Sequence, residues 1–274
     1  MGWFEALVLG LVQGLTEFLP ISSSAHLRIT SALAGWDDPG AAFTAVTQIG
    51  TELALICYFS KDIYGIVRSW ALSLIKSEYR STPEARLGWL IIIGTIPIAV
   101  LGFLLQDLIE HRFRDLRITA IALIAFGLLL WLAEKVGRRE REIHALTVKD
   151  GFVFGLAQAM ALVPGVSRSG GTTTVGLFLG YTREGATRYG FLLAIPAVFG
   201  SGLYKLGDIG GSSSTSWGPA ILATSISFVV GYAVTAWLMQ FVKTHSYFVF
   251  IIYRIVLGLM ILALVSSGCI QANT

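Results

Sequence analysis

Gln13 and Glu17 stand four residues apart in an otherwise apolar stretch, which puts both on one face of a helix. An ionisable side chain in such surroundings is costly and marks a functional position that needs a partner. A carboxylate beside an amide oxygen is a weak site for Mg²⁺ or Ca²⁺, which take oxygen ligands. The plainer use of the same pair is a hydrogen bond that packs two helices. Pro20 ends the stretch, and Ser22, Ser23, Ser24 and His26 open the next one. Free backbone N–H groups and the helix dipole at such a start favour an anion. Serine N-capping accounts for one of these residues, hardly for three with a histidine. His26 has the chemistry of a nucleophile or of a general acid/base.

A second polar interruption reads Pro164-Gly165-Val166-Ser167-Arg168-Ser169-Gly170-Gly171-Thr172. Glycines and hydroxyls ahead of a helix form a backbone nest for phosphate oxygens, and Arg168 offers a two-pronged donor for phosphate. A juxtamembrane arginine reaching for lipid headgroups is its plainer reading. Together the two stretches hold a carboxylate, a histidine, serines, an arginine and anion-binding helix starts. That inventory fits phosphoryl transfer, where catalysis is mostly positioning and charge stabilisation. Other phosphate and nucleophile motifs are excluded: there is no Walker A loop, and Gly165–Ser169 ends in Ser where a G-x-S-x-G elbow needs Gly. Gln48 and Glu52 share a face of the next helix and either line a cavity or pack helices. Arg254, in an apolar run, is expected to meet an acidic group or a headgroup. His111, His144 and His245 fall in loops and are expected to be solvated, and Cys57 and Cys269 lack metal-ligand spacing.

The elements that must position these residues are those of a membrane protein. Of 274 residues 54% are hydrophobic and only 14% charged, well below the charge of a soluble domain. The net charge of +3 is small, and no nucleic-acid partner is expected. Glu5 stands where a secretory leader would be basic and Ala6 fails the myristoylation pattern, so neither signal is expected. Residues 4–19 and 24–34 are each too short to cross about 30 Å at about 1.5 Å per residue. They predict a re-entrant helical hairpin, tolerated at membrane depth only inside protein or beside a wet cavity. Residues 41–59, 87–105 and 118–133 predict full spans, with Pro97 a kink and 61–86 a charged, partly amphipathic connection. The second half repeats the plan: pieces 152–163 and 172–179 flank the polar turn 164–171, and spans follow at 185–204, 219–241 and 248–265.

The halves also echo each other residue by residue. Gly10, Leu11 and Gln13 match Gly155, Leu156 and Gln158, each pair 145 apart, and Ser22, Ser24, Gly35, Gly40 and Ala41 match Ser167, Ser169, Gly180, Gly185 and Ala186 at the same offset. One hairpin plus three spans is an odd number of crossings, so the second half should be inverted. The expected fold is therefore all-α and polytopic: a first repeat at 1–137 with hairpin 4–34, a linker at 138–150, and a second repeat at 151–274 with hairpin 152–180. Inverted repeats with broken helices place their sites near the midplane between the halves. Lys61, Arg68, Lys76, Arg80, Arg86 and Lys135, the linker's Arg138, Arg139, Arg141 and Lys149, then Arg183 and Lys243 fall on one side. Arg112, Arg114, Arg117 and Lys205 fall on the other. The richer side is expected to be cytoplasmic, which turns both termini and the mouth of the first hairpin outward.

The two motifs, Gln13–Leu27 (QGLTEFLPISSSAHL) and Pro164–Thr172 (PGVSRSGGT), closely resemble the paired signatures of bacterial undecaprenyl-diphosphate phosphatases of the bacitracin-resistance type. Length, hydropathy and motif placement agree along the whole chain. Gln13, Glu17, Ser22, Ser23 and His26 occupy the first signature, and Pro164, Gly165, Ser167, Arg168, Ser169 and Thr172 the second. Gln13 stands where many members have Glu, which weakens a metal site built on two carboxylates there; Ala25 replaces a frequent Gly. The resemblance implies hydrolysis of a polyprenyl diphosphate to the monophosphate carrier lipid of envelope synthesis at the bacterial plasma membrane, with divalent-metal dependence. Glu17, Ser23, His26 and Arg168 are the expected catalytic residues. Ser22, Ser24, Gly165, Ser167, Ser169, Gly170 and Thr172 are expected to bind substrate, and Glu17 with Gln13 to hold Mg²⁺ or Ca²⁺. Ser23 and His26 both remain candidate nucleophiles, His26 alternatively serving as base to Ser23. The lipid bilayer is a partner, and a homodimer is left open. The broken helices also suit a polyprenyl-phosphate flippase or ion-coupled transporter, the competing reading.

Overall fold

The computed structural model describes residues 1–106, 108, 115–208 and 216–272. Eleven α-helices occur among the described residues: α1 (Trp3–Thr16), α2 (Ser23–Ala34), α3 (Gly40–Tyr58), α4 (Ser60–Ile75), α5 (Pro83–Leu104), α6 (Leu116–Val136), α7 (Val148–Met160), α8 (Arg168–Phe178), α9 (Arg183–Lys205), α10 (Trp217–Thr244) and α11 (Phe248–Ser266). The starts follow the capping chemistry in the sequence. Thr82 accepts the Ala85 N–H ahead of Pro83, Asp115 accepts from Arg117, and Thr182 accepts from Gly185. Gly35 closes α2 in the left-handed region, φ +69°.

Five helices, α3, α5, α6, α10 and α11, are long and apolar enough to cross a membrane, and the chain is a multi-pass membrane protein. Their surfaces reverse the pattern of a soluble bundle. Ile96, Phe103, Ile121, Leu128, Val229 and Leu259 are exposed, as lipid contact requires, whereas small and polar residues such as Thr47, Thr119, Ser227 and Thr235 are buried between helices. The sixth expected span, 185–204, forms as α9, but it is not among the five. Arg183, Glu184 and Arg188 occupy its first turns, and its next two turns are buried by protein from Tyr189 to Ala194 rather than facing lipid. A helix jacketed in this way needs little apolarity.

Other boundaries also moved. The expected connection 61–86 contains a helix of its own, α4, joined to α5 by a 3₁₀ turn at Ser77–Tyr79. The first hairpin helix stops at Thr16 rather than Leu19. The second polar turn is shorter than 164–171, because Arg168 to Thr172 already form the start of α8. Of the residues used to orient the chain, Arg112 and Arg114 lie outside the described residues, as do His111 and most of the Gly/Ser loop, 209–215.

The two halves interlock. The first hairpin helix of each half packs on a long helix of the other half: α1 lies on α10 and α7 on α5, while α3 contacts α10 and α9, and α9 also contacts α5. Gly10 and Gly155, which share the sequence offset, are both points of close helix approach. A Cβ on Gly10 would lie 2.7 Å from the Ala223 carbonyl oxygen, and one on Gly155 would lie 2.4 Å from that of Gly94. The linker is pinned beside α7. Arg141 donates to Asp150 at 2.7 Å and to the Leu179 carbonyl at 3.0 Å, and Tyr181 donates to the same Asp150 oxygen at 2.7 Å. Burial alone would raise the Asp150 carboxyl; hydrogen bonds from Arg141, Tyr181 and Thr147 outweigh it and hold the group down at about 2.

Candidate active site

The two polar turns meet. Ser22 and Ser167 are the N-cap residues of α2 and α8, and both have positive φ, +73° and +67°, a conformation that costs a side-chain-bearing residue free energy. Ser22 does not cap its own helix. Its Oγ accepts the Gly165 N–H across the interface at 3.2 Å and lies 3.2 Å from Ser24 Oγ. Ser169 Oγ returns the contact by donating to the Leu19 carbonyl at 3.0 Å. Gly165, at φ +96°, must be glycine for a further reason: a Cβ there would sit 2.3 Å from the Thr119 carbonyl.

Arg254 rivets the turns together. Fully buried, it donates to the carbonyls of Pro20 (3.0 Å), Gly165 (2.8 Å), Val166 (2.8 Å) and Leu123 (3.3 Å). It therefore meets neither an acidic side chain nor a headgroup, contrary to the expectation for a charge in the last span. Backbone carbonyls of two broken helices are the partners that a lone intramembrane arginine finds here.

This frame brings four of the expected residues into one hydrogen-bonded cluster. Glu17 Oε2 accepts from Gln13 Nε2 at 2.6 Å and from Ser23 Oγ at 2.6 Å, with Gln48 Nε2 at 3.4 Å. Glu17 Oε1 pairs with Arg168 Nη2, which also donates to Glu52 Oε1 at 3.0 Å. Glu52 thus joins the cluster. Its sequence signal was a carboxylate in an apolar helix, but nothing in the spacing linked it to a residue 116 positions away.

His26 lies beside the cluster and is not hydrogen-bonded to it. Its Nδ1 is 2.7 Å from the Ser22 carbonyl, which can only accept, so Nδ1 carries the proton. In the neutral ring Nε2 then accepts from the Tyr253 hydroxyl at 2.7 Å, and the two rings stack. Tyr253 had no sequence signal. The remaining expected binding residues hold the turn together: Ser167 Oγ accepts the Gly170 N–H at 3.1 Å and approaches Ser169, while Thr172 donates back to the Arg168 carbonyl at 2.9 Å.

An apolar cavity of about 410 Å³ is lined by Leu15, Thr16, Leu19, Ile21, Val234, Trp237, Val249, Phe250 and Tyr253. Tyr253, which carries the hydrogen bond to His26, forms part of its wall, and Thr16 on the same wall is the chain neighbour of Glu17. The donor atoms also suit a hard cation. Gln13 Oε1 and Glu52 Oε2 are buried without a protein hydrogen-bond partner. No group of three or more His, Cys, Asp or Glu side chains placed to hold a metal occurs among the described residues. Mg²⁺, however, is ordinarily held by one or two carboxylates together with phosphate oxygens and water, and Glu17 and Glu52 offer the carboxylates.

Residues 6–260 match the family described as bacitracin resistance protein BacA. The chain belongs to the BacA family. It is 55% identical to "Undecaprenyl-diphosphatase 2" of Streptomyces avermitilis across 100% of this chain and 98% of the relative. The corresponding figures are 56%, 100% and 94% for "Undecaprenyl-diphosphatase" of Thermobifida fusca, and 57%, 99% and 100% for "Undecaprenyl-diphosphatase" of Micrococcus luteus. In this BacA-family chain both signature stretches therefore lie inside the region of full-length similarity, and the two turns they form are in direct contact.

Proposed function

We propose that this chain is an undecaprenyl-diphosphate phosphatase. It hydrolyses the C55 polyprenyl diphosphate to undecaprenyl phosphate and inorganic phosphate, recycling the carrier lipid for cell-wall synthesis. The observation that carries the reading is the buried union of Glu17 and Ser23 from one turn with Arg168 from the other, beside an apolar cavity suited to a lipid chain.

In this reading Arg168 exchanges carboxylate partners for the oxygens of the terminal phosphate, which suits its planar fork. Ser23 is the nucleophile we favour, because its hydroxyl already donates to Glu17 Oε2 at 2.6 Å, whereas both His26 nitrogens are engaged elsewhere. Ser23 Oγ bonds to the terminal phosphorus as its proton passes to Glu17. The bond from that phosphorus to the bridging oxygen breaks, and undecaprenyl phosphate departs as the anion. Water then cleaves the phosphoserine and releases inorganic phosphate. Mg²⁺ or Ca²⁺, held by oxygens of Glu17 and Gln13, would supply neutralisation of the diphosphate's charge. Replacing Ser23 by Ala is expected to lower phosphate release from a polyprenyl diphosphate by about 10²-fold or more, and denatured wild-type enzyme quenched mid-turnover should carry phosphate on Ser23. Undiminished turnover in both Ser23→Ala and Arg168→Ala would remove the site.

The positive charges of the connection after α3 and of the linker support a plasma-membrane orientation with the first hairpin opening to the outer face and the N-terminus outside. With Cys57 and Cys269 replaced by Ser, Trp3→Cys is expected to react with an impermeant thiol reagent on intact cells. Labelling seen only after lysis would invert the topology.

A further inference from the structure

The buried cluster holds one acid more than its base can match. A single guanidinium nitrogen of Arg168 serves both Glu17 and Glu52. Glu17 Oε2 is further occupied by Gln13 and Ser23, but Glu52 Oε2 has no protein partner although the residue is 0% exposed. Gln13, also 0% exposed, likewise leaves Oε1 unpartnered. Its amide cannot be turned round to cure this, because an oxygen would then face the Glu17 carboxylate at 2.6 Å. The unpartnered atoms at this site are thus both oxygens, on side chains joined to Glu17 directly (Gln13) or through Arg168 (Glu52), and two carboxylates share one guanidinium. Burying the second charge is expensive unless something pairs with it. A polar or anionic ligand would find its natural donor in Arg168, and a proton on Glu52 would remove the surplus charge but leave Gln13 Oε1 bare; a cation answers both acceptors and the surplus carboxylate together.

We propose that Glu52 is a ligand of a divalent cation, Mg²⁺ or Ca²⁺, held jointly with Glu17 and Gln13 Oε1. Gln13 contributes an oxygen without charge, and Glu52, from a different helix, contributes the second negative charge. The ion's use in catalysis rests on the phosphatase reading; its binding does not.

The test is calorimetric titration of Ca²⁺ and of Mg²⁺ into the purified full chain in detergent, with no lipid substrate present. The wild type should show one saturable site. Glu52→Gln, which keeps shape and the contact with Arg168, should weaken it by about tenfold or more, while Glu84→Gln, a change at an exposed acid, should not. Should Glu52→Gln lower the thermal midpoint without cation, Glu52→Asp decides, since it keeps the charge on a shorter stem and should bind between wild type and background. Wild-type affinity in Glu52→Gln, or no divalent binding by the wild type, overturns the proposal. A chain that binds the ion through Glu52 yet releases no phosphate from a polyprenyl diphosphate would instead overturn the phosphatase reading and leave this one standing.

Discussion

Ser22 and Ser167 stand 145 residues apart and hold nearly the same unusual backbone, φ +73° with ψ 95° and φ +67° with ψ 117°, each just before a buried helix. Two serines and the glutamine on that shared backbone are kept, but the side chains differ at three positions that carry the chemistry. Counting forward by the same offset, Ser23 corresponds to Arg168, His26 to Gly171 and Glu17 to Leu162. Gln13 keeps its counterpart Gln158, but with no acid one turn on, both amide atoms of Gln158 are buried without partners. The first turn has kept an acid, a hydroxyl and a histidine; the second has kept the cation and the glycines that let backbone close around it. Neither turn alone is a phosphate site. The first would repel a diphosphate, and the second has no nucleophile placed against an acid. In the proposed reading it is their contact that creates the function, which makes what joins them decisive.

Arg254 is that joint, and changing it should have the largest effect. Arg254→Met removes a charged donor from the carbonyls of Pro20, Gly165 and Val166 and leaves those buried acceptors bare. Hydrogen bonds from a charged group contribute about 1.5–3 kcal/mol each and do not add fully, so a stability loss of about 3–5 kcal/mol is expected. A thermal melt in detergent reads it, and activity should fall with it because both turns lose their register together. Arg254→Lys should recover only part, since a point ammonium cannot span three carbonyls. A melt unchanged in Arg254→Met would mean that the turns are held by their own short bonds instead.

Arg254 also shows where sequence reasoning stopped. The helices, the two polar turns and their main residues were legible because apolar runs have a required length and because breaks at Pro20 and Pro164 coincide with clustered serines and glycines. Arg254, Glu52 and Tyr253 are single polar residues in apolar helices. Such a residue announces that it has a partner but not which one, because that depends on helix rotation and on which helix lies opposite. Glu52 and Arg168 meet only once α3 and α8 are docked. The α9 helix differs in the opposite way: its length is as expected but its first half is less apolar, because apolarity is demanded only of faces that touch lipid and Tyr189 to Ala194 are buried in protein. Likewise, Arg168 to Gly171 read as turn because glycine and serine are weak helix formers, yet packing against neighbouring helices holds them helical.

A middle-sized effect tests whether the halves are alike in packing as well as in turn geometry. Gly10→Ala and Gly155→Ala each push a methyl group into backbone of a neighbouring helix, at 2.7 Å and 2.4 Å before any adjustment. Overpacking of this kind costs about 1–3 kcal/mol. Both variants should melt lower than wild type, Gly155→Ala more so because its neighbour is itself a glycine backbone with no side chain to yield. If Gly10→Ala proves harmless, the α1–α10 contact is looser than α7–α5 and the likeness of the halves is confined to the turns.

The smallest effect asks about the turns themselves. At φ near +70° a side-chain-bearing residue stores about 1–3 kcal/mol that glycine would not. Ser→Gly relieves this but gives up the hydroxyl and adds freedom to the unfolded chain, so Ser22→Gly and Ser167→Gly should each fall within about 1 kcal/mol of wild type. Ser→Ala loses the hydroxyl and keeps the strain, so at both positions alanine should be the less stable replacement by about 1 kcal/mol. The hydroxyls themselves differ. That of Ser167 caps its own helix through the Gly170 N–H, whereas that of Ser22 holds Gly165 on the opposite turn. Ser22→Gly should therefore lower phosphatase activity more than Ser167→Gly at equal stability, because only the first severs a bond between the halves. If glycine outperforms alanine at one position alone, the matching φ values conceal different backbones, and the two turns are alike in sequence but not in the strain they carry.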